Sequence, residues 1–338
     1  MNKILSVCIP TYNRGVMLND ALEQLIGQAG PYHIPIYVAD NVSTDDTPAI
    51  VARWQQKYPF LFYHRNAHMM NNCPVALGMS QTKYAWLMGD RCRLYDGAIE
   101  TVLNIVQHDD HDLIVVNAGM KLNENGFAWG NKKYHKLVNG IPSSVYNDSN
   151  LLLQDLGWYM VLIGSTIFKA SVIETANYEK YAMIASFGHV LPVFDYVAQN
   201  DFSLYWCDRQ LIFTAPGGTS GWLHDTFEVW IDRRMQAVKS LPSAYSEDAK
   251  LAWIKSGGEK SGLFSIKVMS FLRGNKIYTL AVFRKYYSSF PYVTNTPRFA
   301  LFLIALTPSF IFKAMETVLR LFIPDLVRIP LHRDPRSY

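Results

Sequence analysis

The sequence predicts an α/β fold, a mostly parallel central sheet flanked by helices, that continues into a helical C-terminal region. Three observations predict it. Short apolar runs alternate with amphipathic stretches through about the first 120 residues. Several of those runs end in polar clusters rather than in tight hairpin turns. From about residue 226 the pattern becomes helical, and at Arg298 it changes again to an apolar tract framed by basic residues. Alternation of strand-length and helix-length segments is the mark of βαβ units.

In order along the chain, ILSVCI (4–9) reads as a buried parallel strand that ends at Pro10-Thr11. The helical pattern after it places Met17, Leu18, Ala21, Leu22, Leu25 and Ile26 on one face. IPIYVAD (34–40) is the next strand and breaks at DNVSTDDT; a helix from Pro48 to about Lys57 follows. FLFYHR (60–65), YAWLMGD (84–90) and DLIVVNAG (112–119) are further strands, with a helix near 96–107 between the last two. The middle, roughly 120–225, is less regular. It holds a polar excursion (121–150), the apolar segment WYMVLIGSTIF (158–168), a helix-like HVLPVFDYVAQ (189–199), a strand-like SLYWCDRQLIF (203–213) and a Gly-rich loop PGGTSGW (216–222). Ligands of parallel sheets bind beyond the carboxyl ends of the strands. Here those ends are Pro10-Thr11-Tyr12, Asp40-Asn41 and Gly89-Asp90, all polar.

Composition narrows the functional classes. Four widely spaced cysteines, with no CxxC, read as reduced thiols rather than a disulfide frame or a zinc site. The N-terminal apolar stretch is too short for a signal peptide, which predicts a cytoplasmic start. The net charge of +4 divides unevenly: from Lys260 onward there are 12 Lys+Arg against 3 Asp+Glu, and before it 20 against 25. A basic tail on an acidic body points to an anionic surface. The tail's many Phe, Leu and Ile argue for lipid and against nucleic acid. No GxGxxG follows the first strand, which speaks against a dinucleotide-dependent oxidoreductase.

ILSVCIPTYNR, then VADNVSTDDT, then WLMGDRCRLYDGAIE, in this order and spacing, resemble glycosyltransferase family 2. The resemblance is firm over about the first 120 residues. It extends more loosely through GSTIFKASVIE (164–174) and the 189–199 segment, in the manner of bacterial transferases that build O-antigen or capsule repeat units. It implies a GT-A fold, Rossmann-like, over residues 1–225: a nucleotide-sugar-binding half (1–120) and an acceptor half (121–225). Residues 226–338 then form the helical C-terminal region. It also implies an inverting transfer from a nucleotide sugar to a saccharide on a polyprenyl diphosphate carrier.

The resemblance places donor contacts on Pro10, Thr11, Tyr12, Arg14, Asp40, Asn41 and Asp90. Asp40 takes the position that binds the donor base; a carboxylate accepts a hydrogen bond from a ring N–H, as uracil and thymine present one, so a UDP- or dTDP-type donor is favoured. The same residue, with Ser43, Asp45 and Asp46, also suits capping of the following turn and helix. Arg14 reads equally as a phosphate partner or a solvated helix-start charge. Where relatives carry an acidic run that holds Mn2+ or Mg2+, this chain reads Asp90-Arg91-Cys92. A thiol is a poor ligand for a hard cation. Three readings stand: Arg91 replaces the metal as a fixed cation; Asp90 alone still holds a metal; or the protein binds sugar nucleotides without turnover. The general base that an inverting transfer needs falls on His189 or Asp195. Six helical residues are about 600° of rotation and roughly 9 Å of rise, so the two are not expected to serve one hydroxyl. His189, at the head of the helix, is preferred.

The uncharged tract FALFLIALTPSFIF (299–312) lies between Arg298 and Lys313 and is interrupted by Pro308. A span takes about 20 residues, so the tract reads as a peripheral anchor on the cytoplasmic face of the bacterial inner membrane. The alternative is a helix pair packed on the body or on a second subunit.

Overall fold

A computed structural model of the chain describes residues 1–121, 134–182, 184, 186–214 and 224–322. The Gly-rich loop at 216–222, residues 122–133 of the polar excursion and the end of the tail lie outside the described residues.

The first half follows the alternating pattern. β1 (Leu5–Thr11), α1 (Gly15–Ala29), β2 (Ile36–Asp40), α2 (Thr47–Lys57), β3 (Leu61–Arg65), α3 (Asn72–Gly78) and β4 (Tyr84–Leu87) form successive βαβ units. After them come β5 (Cys92–Leu94), α4 (Ala98–His108), β6 (Leu113–Lys121), β7 (Tyr134–Lys136) and β8 (Ser144–Tyr146). β1 and β2 are buried along nearly their whole length, as strands covered by helices on both faces must be. α1 turns Leu18, Ala21, Leu22 and Leu25 inward, the face its apolar spacing dictates.

α5 (Ser149–Asp155), α6 (Gly157–Met160), β9 (Thr166–Lys169), α7 (Ala170–Thr175), α8 (Leu191–Gln199) and β10 (Leu204–Thr214) complete the sheet domain. The sheet order is β3-β2-β1-β4-β9-β6-β10-β5, with β7 on β6 and β8 on β10. The pairs β1/β2, β2/β3, β1/β4 and β6/β10 are parallel. β9 is inserted antiparallel between β4 and β6. The apolar segment at 158–168 is therefore not one element: it divides into the turn of α6 and the strand β9, with Gly164 between them at φ 113. Trp158 and Trp206 are buried in this core, and Trp206 donates its indole N–H to the Ile141 carbonyl at 3.0 Å.

Beyond β10 the described chain is helical. A π-helical turn, Glu228–Arg233, leads into α9 (Arg234–Ser240), α10 (Glu247–Lys260), α11 (Ile266–Gly274), α12 (Leu280–Tyr286), α13 (Phe290–Val293), α14 (Arg298–Leu306) and α15 (Ser309–Phe322). No single helix among the described residues is long and apolar enough to cross a membrane.

Candidate active site

Because β2, β1 and β4 are adjacent and parallel, their carboxyl ends open on one edge, and the polar ends read in the sequence meet there. Two of the loops are stitched together. Asn13, in the left-handed region at φ 49, donates its N–H to Ser43 Oγ (2.9 Å), and its side-chain oxygen accepts the Thr44 N–H (2.7 Å). Asp45 accepts the Gly15 N–H at 2.8 Å and the Thr47 N–H and hydroxyl at 3.1 and 2.6 Å. Burial opposes ionisation of Asp45, yet these donors hold its pKa below the ordinary value. Val42 sits at φ 67, where a β-branched residue is strained by about 1–2 kcal/mol. Strain of this kind concentrates where a loop is shaped for a ligand.

Asp40 is fully buried. One carboxylate oxygen accepts the Ser43 N–H (2.9 Å) and the other the Tyr63 hydroxyl (2.7 Å), with Arg65 Nε 3.9 Å away. With no exposed surface, the carboxylate in this conformation organises the 41–46 loop and does not face the cleft. Of the two uses read for this residue, the capping contact with Ser43 is present. Asn41 is engaged too: its amide pairs with both backbone groups of Met70 (3.0 and 3.1 Å) and accepts from Asn66 (2.9 Å). Pro10, Tyr12 and Arg14 are half-buried at the edge.

Asp90 lies at the centre of the cluster. Its buried carboxylate accepts the Thr11 hydroxyl at 3.1 Å and pairs with Arg14 Nη1 at 3.2 Å. Burial raises its pKa, against the pull of Arg14, Thr11 and Arg91. Arg91 is half-buried; desolvation and then the nearby Arg14 cation lower its pKa. Arg93, absent from the sequence-based candidates, is buried beneath the turn. It donates to the carbonyls of Asp90 (2.9 Å), Cys92 (2.9 Å) and Met17 (3.0 Å), tying the turn to α1. Arg93 occupies the middle of a three-residue strand between buried Cys92 and Leu94, and no spacing rule marks such an arginine.

These residues do not fit a divalent metal. The Asp90 oxygens are held by Thr11 and Arg14. Cys92 points away, its thiol donating to the Ile163 carbonyl at 3.1 Å, and burial pushes its pKa up to about 11. Among the described residues no group of three or more His, Cys, Asp or Glu is gathered as a cation site. What the site offers instead is the guanidinium groups of Arg14 and Arg91 beside one carboxylate, cations of the kind that suit a diphosphate.

The two base candidates behave differently. Asp195 is buried, and one of its oxygens takes both Lys180 Nζ (2.6 Å) and the Tyr181 hydroxyl (2.8 Å). It is committed to an ion pair with an exposed lysine. His189 is half-buried, with Nε2 2.9 Å from the Val161 carbonyl. A carbonyl only accepts, so Nε2 carries the proton and Nδ1 keeps a lone pair. Desolvation lowers the His189 pKa below 6.5, which favours the neutral imidazole that a base must be.

The family profile for "Glycosyl transferase family 2" matches residues 6–175, half of the chain. Abequosyltransferase RfbV of Salmonella typhimurium is 32% identical over 91 residues, which are 25% of this chain and 27% of that protein. The uncharacterized glycosyltransferase YibD of Escherichia coli is 28% identical over 127 residues, 37% of each chain. The similarity thus spans about a third of these curated relatives' length. S. aureus TarS 1–349, solved with UDP-GlcNAc, superposes with a TM-score of 0.52 at 13% identity, covering 94% of this chain and 92% of that one. The mannosyltransferase PcManGT from Pyrobaculum calidifontis, solved with GDP-Man and Mn2+, gives 0.50 at 14% identity, covering 95% and 81%. At such identities the likeness concerns the fold, which is GT-A. The profile match, together with the sheet edge assembled from the sequence motifs, establishes that the chain belongs to glycosyl transferase family 2.

Proposed function

We propose that this glycosyltransferase moves a sugar, with inversion, from a nucleotide-sugar donor to a lipid-linked saccharide at the cytoplasmic face of the bacterial inner membrane. The observation that carries the reading is the cationic cluster at the sheet edge: Arg14 paired with Asp90, Arg91 next to both, and Arg93 locking the turn from below. In this reading the acceptor hydroxyl gives its proton to His189 Nδ1 and its oxygen attacks the anomeric carbon. The bond to the diphosphate breaks with its electron pair on the departing oxygen. Arg14 and Arg91 meet that charge; Asp90 holds Arg14 in place, and Thr11 holds Asp90. Preorganised charge of this kind acts in the transition state, where it accelerates the reaction most.

Uridine- and thymidine-type donors are proposed first, because the fold neighbour TarS was solved with UDP-GlcNAc. With Asp40 enclosed, the base contact falls on other groups of that edge. The abequosyltransferase relative supports an O-antigen type of product. The membrane location is supported by the exposed apolar faces of α14 and α15. Thermal unfolding in the presence of UDP, dTDP, GDP and CDP tests the donor class, since a selective ligand raises stability by mass action. Failure of all four to stabilise the protein would overturn the reading. The altered acidic run favours one alternative, a sugar-nucleotide binder without turnover. Selective stabilisation with no transfer under any condition would establish it.

A further inference from the structure

The helical C-terminal region reaches back to the segment that carries His189. Ser186 is in the left-handed region at φ 74, and its hydroxyl oxygen accepts from Arg233 Nη1 at 3.0 Å. Arg233 is itself steadied by Glu228, with 3.1 and 2.8 Å contacts to one carboxylate oxygen. The next residue, Arg234, is 1% exposed, and none of its three guanidinium nitrogens has a hydrogen-bond partner among the described residues. Its charge is enclosed by rings: Trp230 at 5.2 Å, Trp253 at 5.3 Å and Phe187 at 5.9 Å. Gly257 of α10 makes the room, for a Cβ there would lie 1.1 Å from Arg234 Nη1.

The same rings hold the segment from its other side. Phe187 meets Trp230 and Trp253 edge-on, and Phe194 meets Trp253 likewise at 5.3 Å. The Phe194 carbonyl accepts the Tyr245 hydroxyl at 2.8 Å. Residues 186–194 are thus gripped near both ends by helices that follow the sheet domain. Consecutive residues of an α-helix point about 100° apart, so two neighbouring arginines ordinarily serve different faces. The π-helical turn Glu228–Arg233 alters the winding just before Arg234, and both side chains reach the one segment.

We propose that Arg234, assisted by Arg233, is a positioning residue for His189: the caged guanidinium fixes Phe187, and through it the imidazole two residues on. The inference rests on the reading of His189 as the base. A cation is suited to this task because its attraction to ring faces is directional, whereas an apolar filler lets the rings slip. An enclosed, unpaired charge is a poor source of stability. Replacement by an apolar side chain of similar length is therefore compatible with a folded protein.

Arg234→Met is the test, with histidine-labelled NMR as a readout that needs no substrate. The His189 resonance is assigned by its loss in His189→Gln. In the unaltered protein it is expected to show a single Nε2–H tautomer and to titrate below 6.5. In Arg234→Met the tautomers should mix and the titration should move toward the ordinary value, while the unfolding temperature does not fall. With the nucleotide sugar that best stabilises the protein, kcat should drop on the order of tenfold to a hundredfold and the donor KM should stay unchanged. An unaltered His189 titration and tautomer in Arg234→Met overturns the proposal. If that variant does not fold, Arg233→Gln, which removes the contacts to Ser186 and Glu228 and leaves the Arg234 cage in place, is judged by the same two readouts. Wild-type turnover in His189→Gln would instead refute the base assignment, and the NMR comparison would still judge Arg234.

Discussion

Arg14 and Arg91 beside Asp90, acting in place of a metal ion on the departing diphosphate, make transfer independent of divalent cations. Transfer should survive chelation by EDTA, and Arg91→Ala should lose on the order of a hundredfold or more in kcat. Radiolabelled-donor assays in chelated buffer decide between this and a metal held by Asp90, for which the two outcomes reverse. Cys92→Asp should not create a metal ligand. It would place a carboxylate against the Ile163 carbonyl and Gly164, and destabilise the fold by roughly 3–5 kcal/mol, readable in urea titrations. At His189 the sign of the pH dependence is fixed by desolvation. A base of depressed pKa is neutral above that value, so kcat should fall only once the pH has dropped below the ordinary histidine value of 6.5. A limb above 6.5 in the pH–rate profile would exclude it. The residues of the first-strand and acidic motifs were legible because motif and strand end coincide. The role of Asp40 was legible only as a choice between two uses, since its burial depends on Tyr63, which lies in a different strand. Arg93 and Arg234 left no sequence signal, because what makes an arginine internal is the set of carbonyls or rings that distant segments bring to it.

Among the elements, β9 shows where periodicity fails. WYMVLIGSTIF is apolar on every face, so neither a period of two nor one of 3.6 is visible, and a four-residue strand buried on both sides needs none. What divides the segment is Gly164, whose φ of 113 is open to glycine and whose Cβ, were it present, would lie 2.2 Å from Cys92 Sγ. Gly164→Ala meets both penalties and should cost on the order of 3 kcal/mol. A urea midpoint within error of the unaltered protein would show that the turn relaxes freely. The five strands read in the first half, by contrast, were legible to within three residues, whereas the short α3 and β5 were not read. The five strands are covered by helices whose spacing repeats the same inside and outside faces, so local pattern and tertiary burial agree.

For the whole molecule, the uneven charge finds a place in the C-terminal helices. On α14 the exposed Phe299, Phe302, Leu303 and Leu306 follow one helical stripe, and on α15 Phe310, Ile311, Met315 and Val318 are exposed. Segments Arg298–Leu306 and Ser309–Val318 are bent by 92°. Between Lys260 and Phe322 Glu316 is the only acidic residue, and it is buried and paired with Lys313 at 3.0 Å. An apolar ridge in basic surroundings should bind anionic vesicles and release them at high salt. Truncation before Arg298 should abolish that binding in a flotation assay; undiminished binding would move the anchor elsewhere. The order of the strands bears on synthesis. β4 and β6 are separated in the finished sheet by β9, and β6 also awaits β10, so both hold unpaired edges until residues 166–214 have been made. Translation at about 5–20 residues per second keeps those edges open on the order of seconds. An exposed strand edge is a template for pairing with other chains. The half-made protein on the ribosome, rather than the finished enzyme, is thus the form most in need of a chaperone.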